Sequence, residues 1–303
     1  MSAQPYLRFG VDLGGTKIEI IGLDGNNREV YRRRIATPRH NYPETLEAIA
    51  GLVEQAEKAL GETGQVGIGT PGTLSRKTGR MKNCNSVWLN NQPLKEDLEN
   101  LLQRPLRIAN DADCFTLSEA SDGAAAGQAV VFGVILGTGV GGGIVVNGKL
   151  LQGPNGICGE WGHNPLPWPE ADEMPGPQCY CGRKGCIEAF LSGPGLSQDY
   201  SGATGQPLPG EAIVAGAAAG DPGCEEALQR YEHRLARALA HVINILDPDA
   251  IVLGGGLSQC QRWYQSVPKL WRRYVFSDRV DTQLLAPTFG DASGVRGAAW
   301  LWG

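Results

Sequence analysis

The chain has 303 residues, of which 42% are hydrophobic and 19% charged. That is enough apolar material for a buried core and too little charge for a disordered chain, and the length suggests about two domains. With 27 basic and 32 acidic residues the net charge is −5, and no basic cluster is long enough to grip nucleic acid or an anionic membrane.

Met1 to Gly15 lacks the basic start, apolar middle and small-residue cleavage site of a secretory signal, so a cytoplasmic protein is expected. Phe9-Gly-Val-Asp-Leu-Gly-Gly-Thr-Lys-Ile-Glu-Ile-Ile-Gly-Leu23 reads as strand, glycine turn and strand. Tyr42 to Leu60 has the helical spacing of Leu46, Ile49, Ala50, Val53, Ala56 and Leu60. Gln65 to Gly69 is a short buried strand, and Leu106 to Ala109 is another, closed by Asn110-Asp111. Val131 to Val146 repeats the plan of the first hairpin around Gly137-Thr138-Gly139-Val140-Gly141-Gly142-Gly143. Gly123 to Gly148 carries no charged residue, but those central glycines fit two buried strands around a turn better than a membrane span. Pro165 to Gly185, rich in Pro, Gly and Cys, is a loop of the length usually kept for function. The best helix of the second half runs from Asp221-Pro222 to Asp247-Pro248, with Leu228, Tyr231, Leu235, Leu239, Val242 and Leu246 on one face. It feeds the strand Ala250 to Leu253 and then Gly254-Gly255-Gly256. Two halves with the same opening hairpin predict a duplicated α/β architecture with a ligand clamped between them.

Glycine, 43 of 303 residues, stands at roughly twice its average usage of about 7%. Three glycine turns follow strand-like runs: Gly14-Gly15-Thr16-Lys17, Gly137-Thr138-Gly139 and Gly254-Gly255-Gly256. Bare backbone amides at such turns can converge on phosphate oxygens, and a hydroxyl or lysine adds a donor. Each alone would be a plain turn; three of them, two at equivalent places in a repeat, point to a phosphate cradle. Gly137 to Gly142 and Gly67 to Gly72 both match dinucleotide spacing, but neither opens a helix, and no Walker A pattern occurs. Asp12, beside the first turn, can hold the water shell of a nucleotide-bound Mg²⁺ or simply make a turn hydrogen bond. Asn110-Asp111 is a helix cap on the bland reading. On the functional one, Asp111 accepts a hydroxyl proton during phosphoryl transfer, acting late because a carboxylate is too weak a base to ionise an alcohol.

His163, Cys179, Cys181 and Cys186 supply one imidazole and three thiolates, a closed tetrahedral Zn²⁺ set with no open position, hence structural. A disulfide would leave an odd thiol, and Cys158 is the rival ligand. Glu160, His163 and Glu188 ride on the loop such a metal would stiffen, and Asn83 and Asn85 near Trp88 add amides suited to a ring of hydroxyls.

These residues together resemble the ROK family of bacterial sugar kinases. The likeness is carried by Asp12-Leu-Gly-Gly-Thr-Lys17, Gly69-Thr-Pro-Gly72, Asn110-Asp111-Ala112, Gly137 to Gly143, Gly159-Glu-Trp-Gly-His163, Cys179-x-Cys-Gly-x-x-Gly-Cys186-x-Glu188 and Leu253-Gly-Gly-Gly256. The resemblance implies an actin-like, ribonuclease H-like duplicated ATPase fold of two lobes around a cleft. The smaller lobe would span 1–118 with 290–303, the larger 119–289 with the zinc loop. It implies Asp111 as base, with Gly72, Asn85, Asn110, Asp111, Glu160, His163 and Glu188 holding a hexose. ATP would be held by Gly10, Asp12, Gly14, Gly15, Thr16, Lys17, Gly137, Thr138, Gly139, Gly141, Gly142, Gly254, Gly255 and Gly256, with Mg²⁺ reached from Asp12 through water. His163 would serve both zinc and sugar. Asn83 to Asn90 and Glu160 to Trp168 are most similar to family fructokinases that also accept mannose, so phosphorylation of D-fructose at the 6-hydroxyl is the first expectation. Kinases for N-acetylglucosamine, N-acetylmannosamine or glucose are the alternative. The family's sugar-responsive repressors carry an added helix-turn-helix module, for which a hairpin beginning by Leu7 leaves no room. Members are commonly homodimers, so a homodimer is expected.

Overall fold

A computed structural model describes residues 7–303. The first sheet contains β1 (Arg8–Leu13), β2 (Lys17–Leu23), β3 (Glu29–Ala36), β4 (Gln65–Thr70) and β7 (Leu106–Asn110) in the order β3-β2-β1-β4-β7. β1, β2 and β3 run antiparallel; β4 and β7 add in parallel. Between β4 and β7 lie the short hairpin β5 (Thr73–Leu74) and β6 (Met81–Lys82) and the helix α2 (Leu94–Leu102). The second sheet repeats this plan as β10-β9-β8-β11-β12, with β8 (Val130–Leu136), β9 (Val140–Val146), β10 (Lys149–Leu150), β11 (Ala250–Gly254) and β12 (Gln283–Leu285). Again three strands are antiparallel and two are parallel additions. The repeat read from the two hairpins therefore extends through both sheets, giving the two-lobed actin-like architecture.

The helices start and stop where side chains satisfy their ends. α1 (Tyr42–Leu60) is capped by Asn41, which accepts from the Glu44 amide at 3.2 Å, and ends at left-handed Gly61. α7 (Pro222–Leu246) is capped by Asp221, which accepts from the Cys224 amide at 2.8 Å, and stops at Asp247, φ 47°. On its core face Leu228, Tyr231, Leu235 and Leu239 are buried, whereas Val242 and Leu246 are only half-buried near its end. With α4 (Ile187–Leu191), α5 (Gly193–Thr204), α6 (Gly210–Ala218) and α8 (Trp263–Leu270) it closes the larger core around Trp263 and Trp271. Each such buried side chain stabilises the lobe by about 1.5–3 kcal/mol. The charged strand β3 forms the edge of the first sheet, where Arg32 and Arg34 pair with buried Glu19 at 2.6 and 2.8 Å.

Two helices lie between the sheets: α3 (Asp111–Ser121) and α9 (Ser293–Trp300). A Cβ on Gly10 would lie 2.0 Å from Val295 O and one on Gly67 1.9 Å from Ala298 O, so α9 packs directly on the first sheet. A Cβ on Gly133 would lie 2.0 Å from Thr116 Oγ1, so α3 packs on the second. The two helices touch at Gly297, whose missing side chain would meet Cys114 O at 1.6 Å. Residues 118 and 119 both lie within α3, and α9, within 290–303, packs on the first sheet. Among the described residues no helix is long and apolar enough to cross a membrane.

Candidate active site

The β1–β2 turn closes through a bond from Gly14 N to Lys17 O at 3.0 Å. Its carbonyls are taken by the segment after β3: Thr37 Oγ1 donates to Gly14 O at 2.7 Å, Arg39 Nε to Gly15 O at 3.1 Å, and Thr37 N to Thr16 O at 3.1 Å. Among the described residues the Gly15 and Thr16 amides find no partner, as a phosphate cradle requires. Gly14, Gly15 and Thr16 line a cleft cavity of about 560 Å³ with Asp12 and Asp111, and Gly255 closes it from the other lobe. Gly255 can do so because its φ of 80° suits glycine, and a Cβ there would meet Leu136 O at 2.4 Å.

Asp111 is the first residue of α3, after the N-cap Asn110. Asn110 Oδ1 and Asp111 Oδ1 share the Ala112 amide, at 2.9 and 2.8 Å. This anchors one oxygen of the Asp111 carboxyl, and the residue lines the cleft cavity. Water reaches the group, yet both lobes wall it in. That enclosure raises its pKa above the usual carboxylate range, assisted by the charge of Glu160 and opposed by the Ala112 amide. Asp12, at the end of β1, is pushed up to about 6 by burial and then by Asp111, with Lys17 pulling the other way.

The second turn is braced differently. Gly193 N donates to Gly137 O at 2.8 Å, and Val140 N donates to Glu188 Oε2 at 2.9 Å. A Cβ on Gly139 would lie 2.7 Å from that carboxylate oxygen, so a side chain there would displace the Glu188 brace. Thr138, Gly139, Glu188, Tyr180 and Asn85 line a cavity of about 420 Å³; Asn85 also lines the first cavity and so joins the two. A third cavity, of about 180 Å³, is lined by Asn110, Asp113, Gly142 and Glu160.

The ligand atoms of His163, Cys179, Cys181 and Cys186 lie within 4.8 Å of one another. Cys179 Sγ is 3.7 Å from His163 Nδ1, and Cys181 Sγ is 3.6 Å from Cys186 Sγ. A tetrahedron with Zn–S bonds of about 2.3 Å has edges of about 3.8 Å, so donor set and spacing fit Zn²⁺. The cysteines sit on a knuckle in which Gly182 and Gly185 adopt left-handed φ of 89° and 72°. His163 Nε2, the other ring nitrogen, stands 3.0 Å from Tyr180 Oη. The rival Cys158 lies elsewhere, in the wall of the smallest cavity.

Packing gives several of the expected residues a further reason to be glycine or a place away from the large cavity. Gly10 lies beneath α9, away from the cleft, because only a bare Cα lets that helix approach. Gly254 faces the Phe115 ring, where a Cβ would lie 2.6 Å away, and Gly72 faces Cys84 Sγ at 2.5 Å. Gly141 lies against Ala112 Cβ, and its carbonyl accepts from Trp161 Nε1 at 3.0 Å. Gly142 abuts Gly159 O and faces the smallest cavity instead of the nucleotide side. Lys17 opens β2 and is absent from the wall of the large cavity, whereas Gly256 follows the cleft-lining Gly255 with open space around it, so nothing there opposes a ligand. Conversely, Asp113, Arg39 and His40 line these cavities without having been singled out. Asp113 is pushed up to about 7, first by burial and then by Asp111 and Glu160, and its Oδ1 is buried without a partner. A second acid in a helix first turn and a Pro-Arg-His run just before a helix cap were the available signals.

Comparison with known proteins agrees with this geometry. The pattern described as the ROK family matches residues 8–303. The chain is 41% identical over 297 residues to an N-acetyl-D-glucosamine kinase of Yersinia pseudotuberculosis serotype O:1b (strain IP 31758), covering 97% of this chain and 98% of that one. Among solved structures it is similar to a ROK hexokinase from Thermus thermophilus, with TM-score 0.87, 32% identity and 97% of each chain covered. A ROK family glucokinase from Streptomyces griseus, in complex with glucose and AMPPNP, matches with TM-score 0.77 and 29% identity, over 97% of this chain and 98% of that one.

Proposed function

Because this chain belongs to the ROK family, we propose that it is a sugar kinase that transfers the γ-phosphoryl group of ATP to the 6-hydroxyl of a hexose. The observation that carries this reading is the position of Asp111, anchored by one oxygen at the start of α3 beside a cavity walled by both lobes. In the proposed reaction the amides of Gly15, Thr16, Thr138 and Gly139 hold phosphate oxygens, Gly137 N being used within its own turn, and Asp12 holds the water shell of the Mg²⁺ that accompanies the nucleotide. The hexose hydroxyl oxygen bonds to the γ-phosphorus as the bond to ADP breaks, and Asp111 takes the hydroxyl proton late in that motion. Its raised pKa makes it a better acceptor than an ordinary aspartate. Asn85, Asn110, Glu160, His163 and Glu188 take ring hydroxyls. A sugar oxygen reaching His163 Nε2 replaces the Tyr180 hydroxyl, while Nδ1 stays with the thiolates. Zn²⁺ held there supplies rigidity, not chemistry. Dependence on ATP goes with a cytoplasmic location.

On the acceptor, similarity to relatives named N-acetyl-D-glucosamine kinase supports reading an acetamido hexose ahead of the D-fructose first expected. Two residues behind the fructose expectation line none of the three cavities: Trp161 is buried against Phe132 and bonded to Gly141 O, and Trp168 stacks on Tyr274. Fructose, with mannose, remains as a second reading because Asn85 of the Asn83–Asn90 segment does line the cleft. Values of kcat/KM for N-acetylglucosamine, N-acetylmannosamine, glucose, fructose and mannose, read by coupled ADP release, test both. Highest efficiency with N-acetylglucosamine supports the first reading and with fructose the second; no sugar-dependent ADP release overturns the kinase.

A further inference from the structure

The wall of the large cavity carries three carboxylates, Asp12, Asp111 and Asp291, and among the described residues that line it Arg39 is the only lysine or arginine. A triphosphate arriving there brings more negative charge than one Mg²⁺ offsets, so a fixed cation is needed where charge accumulates. Arg39 is built for that place. Its Nε is held by Gly15 O at 3.1 Å, which orients the guanidinium plane against the phosphate-side turn. One of its five N–H groups is thereby used, and both terminal amino groups remain available for a bidentate contact with phosphate.

The chain around Arg39 is shaped to aim it. Thr37 is bolted to the turn by its amide and its hydroxyl, and Pro38 O accepts from Thr45 Oγ1 at 3.2 Å. His40 then adopts a left-handed φ of 61°, a conformation that non-glycine residues hold only where their surroundings enforce it. Its ring is met edge-on at 5.1 Å by Trp88, whose Nε1 is buried without a partner. Both line the same cavity.

Resting on the kinase reading above, we propose that Arg39 binds the γ-phosphoryl group of the nucleotide and follows it during transfer. The contact is to the terminal phosphate, so it separates ATP from ADP. The test is binding of a non-hydrolysable ATP analogue and of ADP, each with Mg²⁺, to the wild type, Arg39→Gln and Arg39→Lys. The expected result is a loss of about 10- to 100-fold for the analogue in Arg39→Gln, with ADP affinity little changed and Arg39→Lys in between. Sugar affinity without nucleotide should be unchanged in all three. The exposed Arg39 side chain supports no core, so thermal midpoints should coincide. Equal losses for analogue and ADP, or no loss for either, would overturn the Arg39 assignment while leaving the kinase standing. A wild type that binds neither nucleotide would instead overturn the kinase reading and this one with it.

Discussion

The hairpins β1–β2 and β8–β9 open their lobes with the same backbone plan but are braced by opposite charges. The first turn is held by a loop that carries a guanidinium, Arg39, on Gly15 O. The second is held by a carboxylate, Glu188, on Val140 N, delivered from the end of the cysteine knuckle. A duplicated fold has thus kept its strands and turns while changing the charge of the brace. On the proposed reading, the cationic brace would serve the anionic donor, and the Glu188 carboxylate would accept a sugar's hydroxyl hydrogens.

If the two sides meet at Asp111, then Asp111→Asn should cost about 10²- to 10⁴-fold in kcat while nucleotide and hexose still bind. Steady-state kinetics with separate binding titrations measures this, and undiminished turnover would show that the base lies elsewhere. A smaller effect separates the braces. Removing the metal with a chelator should loosen the knuckle and Glu188, raising KM for the hexose about 10- to 100-fold while the affinity for an ATP analogue holds. Equal losses on both sides would mean that the knuckle supports the whole molecule and not one brace.

Features with local causes were legible in the sequence. The hairpins show as apolar runs broken by glycine, α1 shows through its periodic face, and α7 through Asp221-Pro222 and Asp247-Pro248. What escaped depends on contacts far along the chain. Gly10 and Gly15 carry the same residue type, but one makes room for α9, from the opposite end of the sequence, and the other faces the cleft. β3 was missed because Arg32 and Arg34 hide its alternation until buried Glu19 supplies their partner. Arg39 reads as a solvated loop residue until the β1–β2 turn is folded against it, and Asp113 as an ordinary first-turn acid until Glu160 arrives from another loop.

Asp113 offers the finest test of the charge division, because it adds a carboxylate to the acceptor side with no bond to hold it. Its pKa, about 7 in the fold against 3.8 for the free side chain, means that the folded protein favours the neutral acid. Folding therefore keeps its full stability below the unfolded value and loses it as pH rises from about 4 to about 7, the opposite of a salt-bridged aspartate. Asp113→Asn removes that loss. The variant should match the wild type near pH 4 and exceed it at pH 8 by roughly 1 kcal/mol, since water in the cleft screens much of the full shift, or about 2–4 °C in Tm. Thermal melts across that pH range decide it. A difference independent of pH would mean that the Asp113 carboxylate is already paired, and that the acceptor side carries its charges without cost to stability.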